Sequence, residues 1–491
     1  MRFIPLDHDR APVWARWAPY AAILLGALIL SLDGVNRSLW LDEAWVANSV
    51  HQPTLGGMFN YPEWLQTSPP LFLLIARLFT HVFGFSTAVL RLISLLFAFV
   101  AAAAFLSVLR RVVAAPIALL AAVLLVFHPI PAEYFRSFKQ YGAEMAATTL
   151  LLLATVTYLR FPGRREFQWL LLATLLLSLS YPLAFVVPGV VIAVWFTDRI
   201  RAMVLAGIFA AVLGVLYGAF IRPNMAPSLW IFWSNDPDLR YGGGTAVIAL
   251  VAAVALFALW RKREWTRDWT MLICLLPCAL LLLAEVTGWY PASPRTRLFA
   301  RPCFLLALAM VGDDLFRWVA GRWRLAGVTV TLAAAVVMGW GLRKHYGEGR
   351  GYPVEDYVAA VRFLRANVAP GEVVLVHPSA REGFRLYTDM ENWHPAVIYG
   401  DTGWPCCPRG HAAKPQSSTE LAVRQDLDAK IREAGHLWLL HATRGQHWEY
   451  AGLNEGELWR SLLTKRGCQP GKGANPANLV VLEMTCPANS P

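Results

Sequence analysis

The feature that most constrains this chain is a succession of apolar segments, each near the ~20 residues that a helix needs to cross a bilayer. Charged residues make up only 16% of the 491 positions, whereas a soluble protein carries about a quarter. The pattern predicts a polytopic α-helical membrane protein with about eleven transmembrane helices. The predicted spans are 17–35, 86–109, 114–128, 141–159, 167–181, 182–198, 202–220, 243–260, 269–286, 299–316 and 325–342.

A further apolar stretch, 69–84, does not fit the pattern of a simple span. It begins with Pro69-Pro70 and carries Arg77 and His81. We therefore expect an interfacial or re-entrant helix there.

The basic residues report the orientation of the spans. The net charge is +11, but Lys and Arg occur in short clusters between apolar runs, which is typical of membrane topology and not of nucleic-acid binding. Short loops on one side hold seventeen Lys and Arg residues and those on the other side hold eight. The positive-inside rule places the N-terminus inside and the C-terminus outside. No cleaved signal peptide is expected at 1–16, which lacks a small-residue cleavage site.

After residue 342 the sequence becomes polar and rich in turns. Short apolar strands alternate with amphipathic helices, which predicts a small α/β domain outside the membrane. The chain thus divides into a transmembrane catalytic domain, 1–342, with outside loops at 36–85 and 128–140, and an extracytoplasmic domain, 343–491. Predicted helices in the second domain are 354–368, 417–434 and 455–465, and predicted strands are 373–377, 436–441 and 478–484.

Four of the seven cysteines fall in the C-terminal domain. An even number in a domain placed outside favours disulfides, and zinc is the weaker alternative because no C-x₂-C spacing is present. Adjacent cysteines rarely pair with each other, so Cys406 and Cys407 are each expected to bridge to Cys468 or Cys486.

Two outside loops carry the residues suited to chemistry. Asp42 and Glu43 follow the first span, and the second loop is rich in cations and tyrosines. A carboxylate can accept a proton from an acceptor hydroxyl as general base, while Arg and Lys hold a phosphate and stabilise it as leaving group. Transfer from an anionic lipid-linked donor fits this combination. The second-loop candidates are Glu133, Tyr134, Arg136, Lys139, Gln140, Tyr141 and Glu144.

Simpler interpretations of the same residues stay open. Arg136 and Lys139 would also suit plain binding of lipid headgroups. Tyr134 and Tyr141 would suit an aromatic belt. Glu285 is expected to reach the nearby interface, and Asp313 with Asp314 is expected to be solvated.

Several motifs resemble the start of the GT-C glycosyltransferases. The similarity is greatest to the bacterial branch related to protein O-mannosyltransferases and the lipid A aminoarabinose transferase. It covers 17–160 well and is mostly topological from there to 342. The motifs are Leu-Asp-Glu-Ala at 41–44, Ser-Pro-Pro-Leu at 68–71, Ala-Val-Leu-Arg-Leu-Ile-Ser at 88–94 and Phe-Lys-Gln-Tyr-Gly-Ala-Glu at 138–144.

The resemblance implies an inverting hexosyl- or pentosyltransferase that takes its sugar from a polyprenyl phosphate of the undecaprenyl or decaprenyl type. The reaction would be metal-independent or assisted by a divalent ion such as Mg²⁺ or Mn²⁺. The acceptor would be a lipid, glycan or protein of the cell envelope, at the outer face of the bacterial cytoplasmic (inner) membrane. Partners would be membrane lipids and no nucleic acid.

The resemblance also implies roles for individual residues. Asp42 matches the family's general base. Glu43 matches the neighbouring acid that orients the acceptor or, with Asp42, holds a metal ion. Lys139, Tyr141 and Arg136 are expected at the donor phosphate. Arg297 and Arg301 resemble a basic patch of related proteins and join that set. Either Glu133 or Glu144 would be the second acid, because relatives often have one just before the Lys-Gln-Tyr group.

Two other classes of function remain. A polymerase or ligase of lipid-linked glycans would depend on Arg240, Arg295 and Arg297 and would not need Asp42. A transporter would favour ionisable residues at mid-membrane, but here the charges cluster at the span ends.

Overall fold

The computed structural model describes residues 35–224, 265–320, 355–400 and 435–487 apart from a few short gaps, together with isolated positions in 18–28 and 329–343. The gaps are 36, 64, 287–289, 291–294, 444–448 and 451–452. The predicted span 243–260 and the predicted helix 417–434 lie outside the described residues.

The described part of the chain up to residue 320 is helical. Helix follows helix with short connections, as the apolar spans predict. The helices are α1 (Leu41–Val50), α2 (Leu55–Phe59), α3 (Pro70–Phe83), α4 (Thr87–Val112), α5 (Ala115–Phe127), α6 (Pro129–Arg136), α7 (Tyr141–Arg160), α8 (Arg164–Thr174), α9 (Val187–Thr197), α10 (Arg199–Leu216), α11 (Trp265–Val286) and α12 (Arg301–Ala320).

Helices α4 and α7 form the centre of the membrane part. The Ser86 hydroxyl accepts the Val89 N–H and so starts α4, as a serine N-cap does. Gly142 at the start of α7 lies against α4, where an added Cβ would be 3.7 Å from both the Ser94 carbonyl oxygen and the Phe97 Cβ. Small residues let the two backbones approach closely, and this fixes the outer end of α7 against α4.

Four described helices are long and apolar enough to span a membrane: Thr87–Val112, Tyr141–Arg160, Arg199–Asn224 and Arg267–Glu285. Helices α5 and α6 form a fifth candidate that is bent by 55°. A multi-pass membrane protein is therefore supported, and the count of eleven spans stays a prediction.

Two predicted spans take a different form, whereas the stretch 69–84 forms a helix as expected. The region predicted as spans 167–181 and 182–198 forms α8 and α9, with short 3₁₀ turns at Leu175–Ser178 and Tyr181–Phe185. Pro182 lies in this break, where its missing N–H would interrupt a continuous helix. The stretch 69–84 does form a helix, α3, whose 14 residues span only about 21 Å.

The C-terminal domain is built on a five-stranded sheet. Its strand order is β2-β1-β3-β7-β6; β1 runs parallel to β2 and β3, and β7 runs antiparallel to β3 and β6. Helices α13 (Tyr357–Asn367), α14 (Arg381–Met390) and α15 (Glu455–Lys465) complete the described α/β domain. The strands are β1 (Val373–Val376), β2 (Ala396–Tyr399), β3 (His436–Ala442), β4 (Glu449–Tyr450), β5 (Leu453–Asn454), β6 (Gln469–Ala474) and β7 (Leu479–Thr485), of which β4 and β5 pair separately.

The disulfide prediction is wrong for two of its cysteines. Cys468 and Cys486 pair with each other, with Cα atoms 4.0 Å apart. They flank the antiparallel β6–β7 hairpin, which brings its two ends side by side across 18 residues of sequence. Because each of these two sulfurs is used in this bond, the predicted bridges to Cys406 and Cys407, which lie outside the described residues, are not formed by Cys468 or Cys486.

Candidate active site

The adjacent acids Asp42 and Glu43 occupy the first turn of α1, but their environments differ. The side chain of Asp42 is 23% exposed and that of Glu43 only 1%. Neighbouring positions on a helix point about 100° apart, so one acid faces outward while the other enters the core. Only Asp42 is therefore accessible to a substrate.

Both carboxylate oxygens of Glu43 are engaged. Oε1 accepts the Phe138 N–H at 2.5 Å and the Arg91 Nη1–H at 3.2 Å. Oε2 accepts the Arg91 Nη2–H and the Trp40 N–H, each at 3.2 Å. Burial raises the pKa of Glu43, whereas Arg91 and the two backbone N–H groups oppose this rise. Glu43 is thus a structural link between α1, α4 and the second loop.

Arg91 of α4 is the counterpart of Glu43. Besides Glu43, its guanidinium donates to the carbonyl oxygens of Arg136 at 2.6 Å and Ser38 at 3.2 Å. Ser94, one turn further along α4, donates from its hydroxyl to the Ser137 carbonyl at 2.8 Å. One face of α4 therefore holds the entry to α1 and the second loop together.

Asp42 lies beside two cations. Arg295 Nη1 donates to Asp42 Oδ2 at 3.0 Å. Lys139 interacts electrostatically with both Asp42 and Arg295, so the three charges lie together. The sequence brought Asp42 and Lys139 into one hypothesis, but Arg295 appeared there only in the rival function.

The Lys139 ammonium is buried. Its residue is 4% exposed, and Nζ lies 5.0 Å from the centre of the Trp45 ring on α1. Burial lowers the pKa of Lys139, and the negative charge of Asp42 opposes that shift. No hydrogen bond of Nζ is found with the residues that the structure describes, which leaves its donors available to an anion.

Four of the other second-loop candidates contact one another in two pairs. Arg136 forms an ion pair with Glu133 and also donates to the Ala132 carbonyl. Tyr141 is buried with its ring 5.0 Å from that of Tyr134. These contacts commit Arg136 and Glu133 to each other.

Glu144 is buried in the first turn of α7. Within the described part of the chain, its Oε2 has no hydrogen-bond partner. Of the two candidates for the second acid, Glu144 is therefore the one whose carboxyl group keeps free bonding capacity.

The two arginines of the late basic patch also differ. Arg297 forms a two-pronged ion pair with Glu285, at 2.7 Å from Nε to Oε1 and 2.8 Å from Nη2 to Oε2. The partly buried guanidinium of Arg301 makes no hydrogen bond or ion pair with described residues. Arg301 is the member of the pair that could still receive a ligand.

The contacts of Glu43 bear on the predicted metal site. Each carboxylate oxygen of Glu43 accepts two N–H groups, and Asp42 is paired with Arg295. Among the described residues, no three His, Cys, Asp or Glu side chains are grouped to hold a metal ion. A divalent ion at Asp42 and Glu43 stays a prediction.

The C-terminal domain supplies contacts that the sequence did not reveal. Glu355 Oε2 accepts the Leu41 N–H at 2.9 Å, directly before Asp42. The Tyr387 hydroxyl accepts the Leu39 N–H at 2.7 Å. No signal in the sequence could pair positions more than 300 residues apart.

Comparison with known families gives a match over residues 67–225. The matching family model describes dolichyl-phosphate-mannose-protein mannosyltransferases. The match includes Lys139 and Tyr141 and begins after Asp42. No curated protein sequence matches the chain at a significant level.

Solved structures show the same fold over nearly the whole chain. The crystal structure of ArnT from Cupriavidus metallidurans bound to undecaprenyl phosphate is 12% identical, covers 96% of this chain and 98% of its own, and has a TM-score of 0.57. The arabinofuranosyltransferase AftD from Mycobacteria is 14% identical over 98% of this chain and 40% of its own, with a TM-score of 0.52.

A third structure has the same fold. The oligosaccharyltransferase AglB from Archaeoglobus fulgidus, in complex with an inhibitory peptide and a dolichol-phosphate, is 12% identical over 97% of this chain and 75% of its own, with a TM-score of 0.50. The predicted resemblance to the GT-C glycosyltransferases is confirmed. The family match and the shared fold support an enzyme of the glycosyltransferase class.

Proposed function

We propose that this protein is an inverting glycosyltransferase that moves a sugar from a polyprenyl-phosphate donor to a cell-envelope acceptor. The acceptor hydroxyl attacks the anomeric carbon, its proton passes to Asp42, and the bond from that carbon to the phosphate oxygen breaks. A single displacement of this kind inverts the anomeric carbon and releases the polyprenyl phosphate. The proposal also includes a membrane location, with the site on the outer face and the N-terminus inside. This orientation follows from the charge pattern.

Asp42 carries the proposal because its carboxylate is accessible and lies next to two cations. Its carboxylate is the accessible member of the acidic pair and lies beside Arg295 and Lys139. A carboxylate that a substrate can reach is placed to take a proton from an acceptor hydroxyl, as a general base does. Arg295 also holds its orientation.

The same cations suit the leaving phosphate. Lys139 is buried without a hydrogen-bonding anion among the described residues, and removal of a cation from water is unfavourable unless an anion joins it. A donor phosphate would satisfy it and would stabilise the negative charge that grows as the sugar departs. We propose Lys139 as the main phosphate ligand, with Arg301 and Tyr141 as further candidates. Arg136 and Arg297 are weaker candidates because Glu133 and Glu285 already pair with them.

The kind of donor is supported by the relatives. The ArnT structure contains undecaprenyl phosphate and the AglB structure contains a dolichol-phosphate. Both are polyprenyl phosphates. The shared fold, together with the buried Lys139 of this chain, therefore favours a lipid of the same class here.

The polymerase or ligase alternative gains little from the geometry. It would depend on Arg297, which is paired with Glu285, and on Arg240, which lies outside the described residues. Arg295 serves both functions, because it contacts Asp42.

The test is a transfer assay with purified protein in detergent. Wild type is incubated with labelled polyprenyl-phosphate sugars and membrane extract, beside Asp42→Asn and the control Asp389→Asn, which removes an exposed carboxylate of the C-terminal domain. We expect transfer by wild type and by the control. Loss of a general base reduces the rate by about 10²- to 10⁴-fold, so Asp42→Asn should be nearly inactive.

Three outcomes would contradict the proposal. Full transfer by Asp42→Asn would remove Asp42 as the base. Retention of anomeric configuration in the product would exclude single displacement. Absence of both transfer and donor binding in wild type would reject the donor class and favour the polymerase or ligase.

A further inference from the structure

The entry to helix α1 is held by three hydrogen bonds from the C-terminal domain. The Tyr357 N–H donates to the Ser38 hydroxyl at 3.0 Å, the Leu39 N–H to the Tyr387 hydroxyl at 2.7 Å, and the Leu41 N–H to Glu355 Oε2 at 2.9 Å. Two of these three groups belong to the same short stretch, 355–357. The last of them reaches the residue before Asp42.

Glu355 is rigidly placed within its own domain. The next residue, Asp356, accepts the Ala359 N–H with its side chain and so caps α13. The Asp356 N–H donates to the Ala477 carbonyl at 3.0 Å, next to the β6–β7 hairpin. Glu355 therefore transmits the position of the sheet domain to the site.

Its location at the start of α1 explains what Glu355 can do. The first N–H groups of a helix have no partner inside the helix and need an acceptor. Trp40, at the N-cap, supplies no side-chain cap. Glu355 supplies an acceptor from another domain for the Leu41 N–H, which is the first N–H of α1.

We propose that Glu355 is a positioning residue for Asp42, holding the first turn of α1 from the C-terminal domain so that the base stays aligned. This inference rests on the proposed function of Asp42. It assigns the C-terminal domain a direct part in the reaction, through one backbone hydrogen bond.

The groups around Glu355 make its effect dependent on pH. Asp42 and Glu43 on α1 interact with it electrostatically, and so does the Tyr357 hydroxyl on α13, which donates to the Ser379 carbonyl oxygen. Beyond those acids lie the cations Arg91, Arg295 and Lys139. Burial raises the pKa of Glu355 to about 8, and the two acids of α1 add to this rise.

Below that value Glu355 is a neutral acceptor. Above it, a second anion would lie next to Asp42 and would repel both that carboxylate and an anionic donor phosphate. The rate of transfer should therefore fall as the pH rises through about 8.

The experiment compares Glu355→Ala, Glu355→Gln and the control Glu391→Ala in full-length protein. Glu391 is an acid of the same domain that pairs with the exposed Arg362 and Arg365. Glu355→Ala should lower kcat by about tenfold while the donor KM changes little, because misalignment of a catalytic group acts on the transition state. Glu355→Gln keeps an oxygen acceptor, so its kcat should stay near wild type and lose the decline around pH 8.

Two results would overturn the inference. One is an unchanged kcat in Glu355→Ala. The other is an equal loss in Ala and Gln variants with the wild-type pH profile retained, since that would show a merely structural role. Both leave the proposed function intact as long as Asp42→Asn is inactive and wild type is active.

Amide hydrogen exchange makes the test independent of the donor. Exchange at 41–44 should speed up in Glu355→Ala and stay at the wild-type rate in Glu391→Ala. If wild type fails to transfer any sugar, the proposed function is rejected. Unchanged exchange at 41–44 in Glu355→Ala would separately reject the role of Glu355 as acceptor for the Leu41 N–H.

Discussion

The entry to α1 is held from two sides in different ways. On the membrane side, Arg91 of α4 binds Glu43 and the Ser38 carbonyl through charged, nearly dry contacts. On the side of the C-terminal domain, Tyr387 and Glu355 bind the backbone N–H groups through single hydrogen bonds.

The two sides differ in how much stability is lost when one contact is removed. A buried ion pair is weak evidence for net stability, but removal of one partner is very unfavourable, so the membrane side behaves as a fixed anchor. On the side of the C-terminal domain, each single hydrogen bond contributes about 1 kcal/mol. Removal of one such bond should therefore weaken this side only by a small step. The proposed base, Asp42, lies between the two.

The largest effect is expected on the membrane side. Arg91→Ala would leave the Glu43 carboxylate buried without its cationic partner, which costs about 3–5 kcal/mol. Thermal unfolding in detergent should show a strongly lowered midpoint. Arg362→Ala, which removes an exposed arginine of the C-terminal domain, should leave the midpoint unchanged.

A paired replacement sharpens this prediction. Glu43→Leu together with Arg91→Leu removes both charges, and such exchanges are often neutral, so much of the lost stability should return. A midpoint of Arg91→Ala close to that of wild type would contradict the idea of a fixed anchor.

The disulfide of the C-terminal domain should rank next. Removal of Cys468–Cys486 by Cys468→Ser with Cys486→Ser should destabilise that domain by about 2–4 kcal/mol. Limited proteolysis should then cleave the domain more readily while the helices up to 320 stay protected. Equal loss of protection in the C-terminal domain and in the helices up to 320 would contradict the idea that the two regions are stabilised independently.

Tyr387→Phe should have a smaller effect. It leaves the buried Leu39 N–H without an acceptor, which costs about 1–3 kcal/mol. The midpoint and the transfer rate should both fall slightly. Tyr217→Phe, at an exposed position, is the matched control, and a similar fall in both variants would contradict the prediction.

The most gradual change should come from pH. Glu355 has a pKa raised by burial from 4.5 to about 8, so the folded protein binds more protons than the unfolded one between these values. Its contribution to the free energy of unfolding is therefore complete below about pH 4.5 and is lost as pH rises through 8. The slope should be reduced in Glu355→Gln, and an equal slope in both proteins would contradict the assignment.

Local patterns predicted much of this molecule. The apolar spans gave the helical membrane part, and the start of α15 and the strands β1, β3 and β7 follow from short-range signals. The sequence also brought Asp42 and Lys139 into one hypothesis, because acidic residues beside a span are costly to bury and the second loop is rich in cations, and the structure places the two charges near each other.

The remaining elements carry weak local signals. Strand β6 has the sequence Gln-Pro-Gly-Lys-Gly-Ala, which lacks the alternation of apolar and polar residues typical of a strand. It is part of the sheet because it pairs with β7. Helix α14 is short, and its polar face dominates. Asp313 was expected in solvent, but it is fully buried because Arg267 and Arg317 pair with it and the Ala114 N–H donates to it. Such long-range partners are not readable from one sequence.

The two sides of α1 also differ in when they can form. Glu43 and Arg91 are 48 residues apart, whereas Leu41 and Glu355 are 314 apart. At a synthesis rate of about 5–20 residues per second, the second partner follows the first by roughly 3–10 s in one case and roughly 15–60 s in the other. We expect Asp42 to be anchored early during synthesis but aligned only near its end. A nascent or truncated chain would then sit in the membrane with its acidic loop in place and remain catalytically silent.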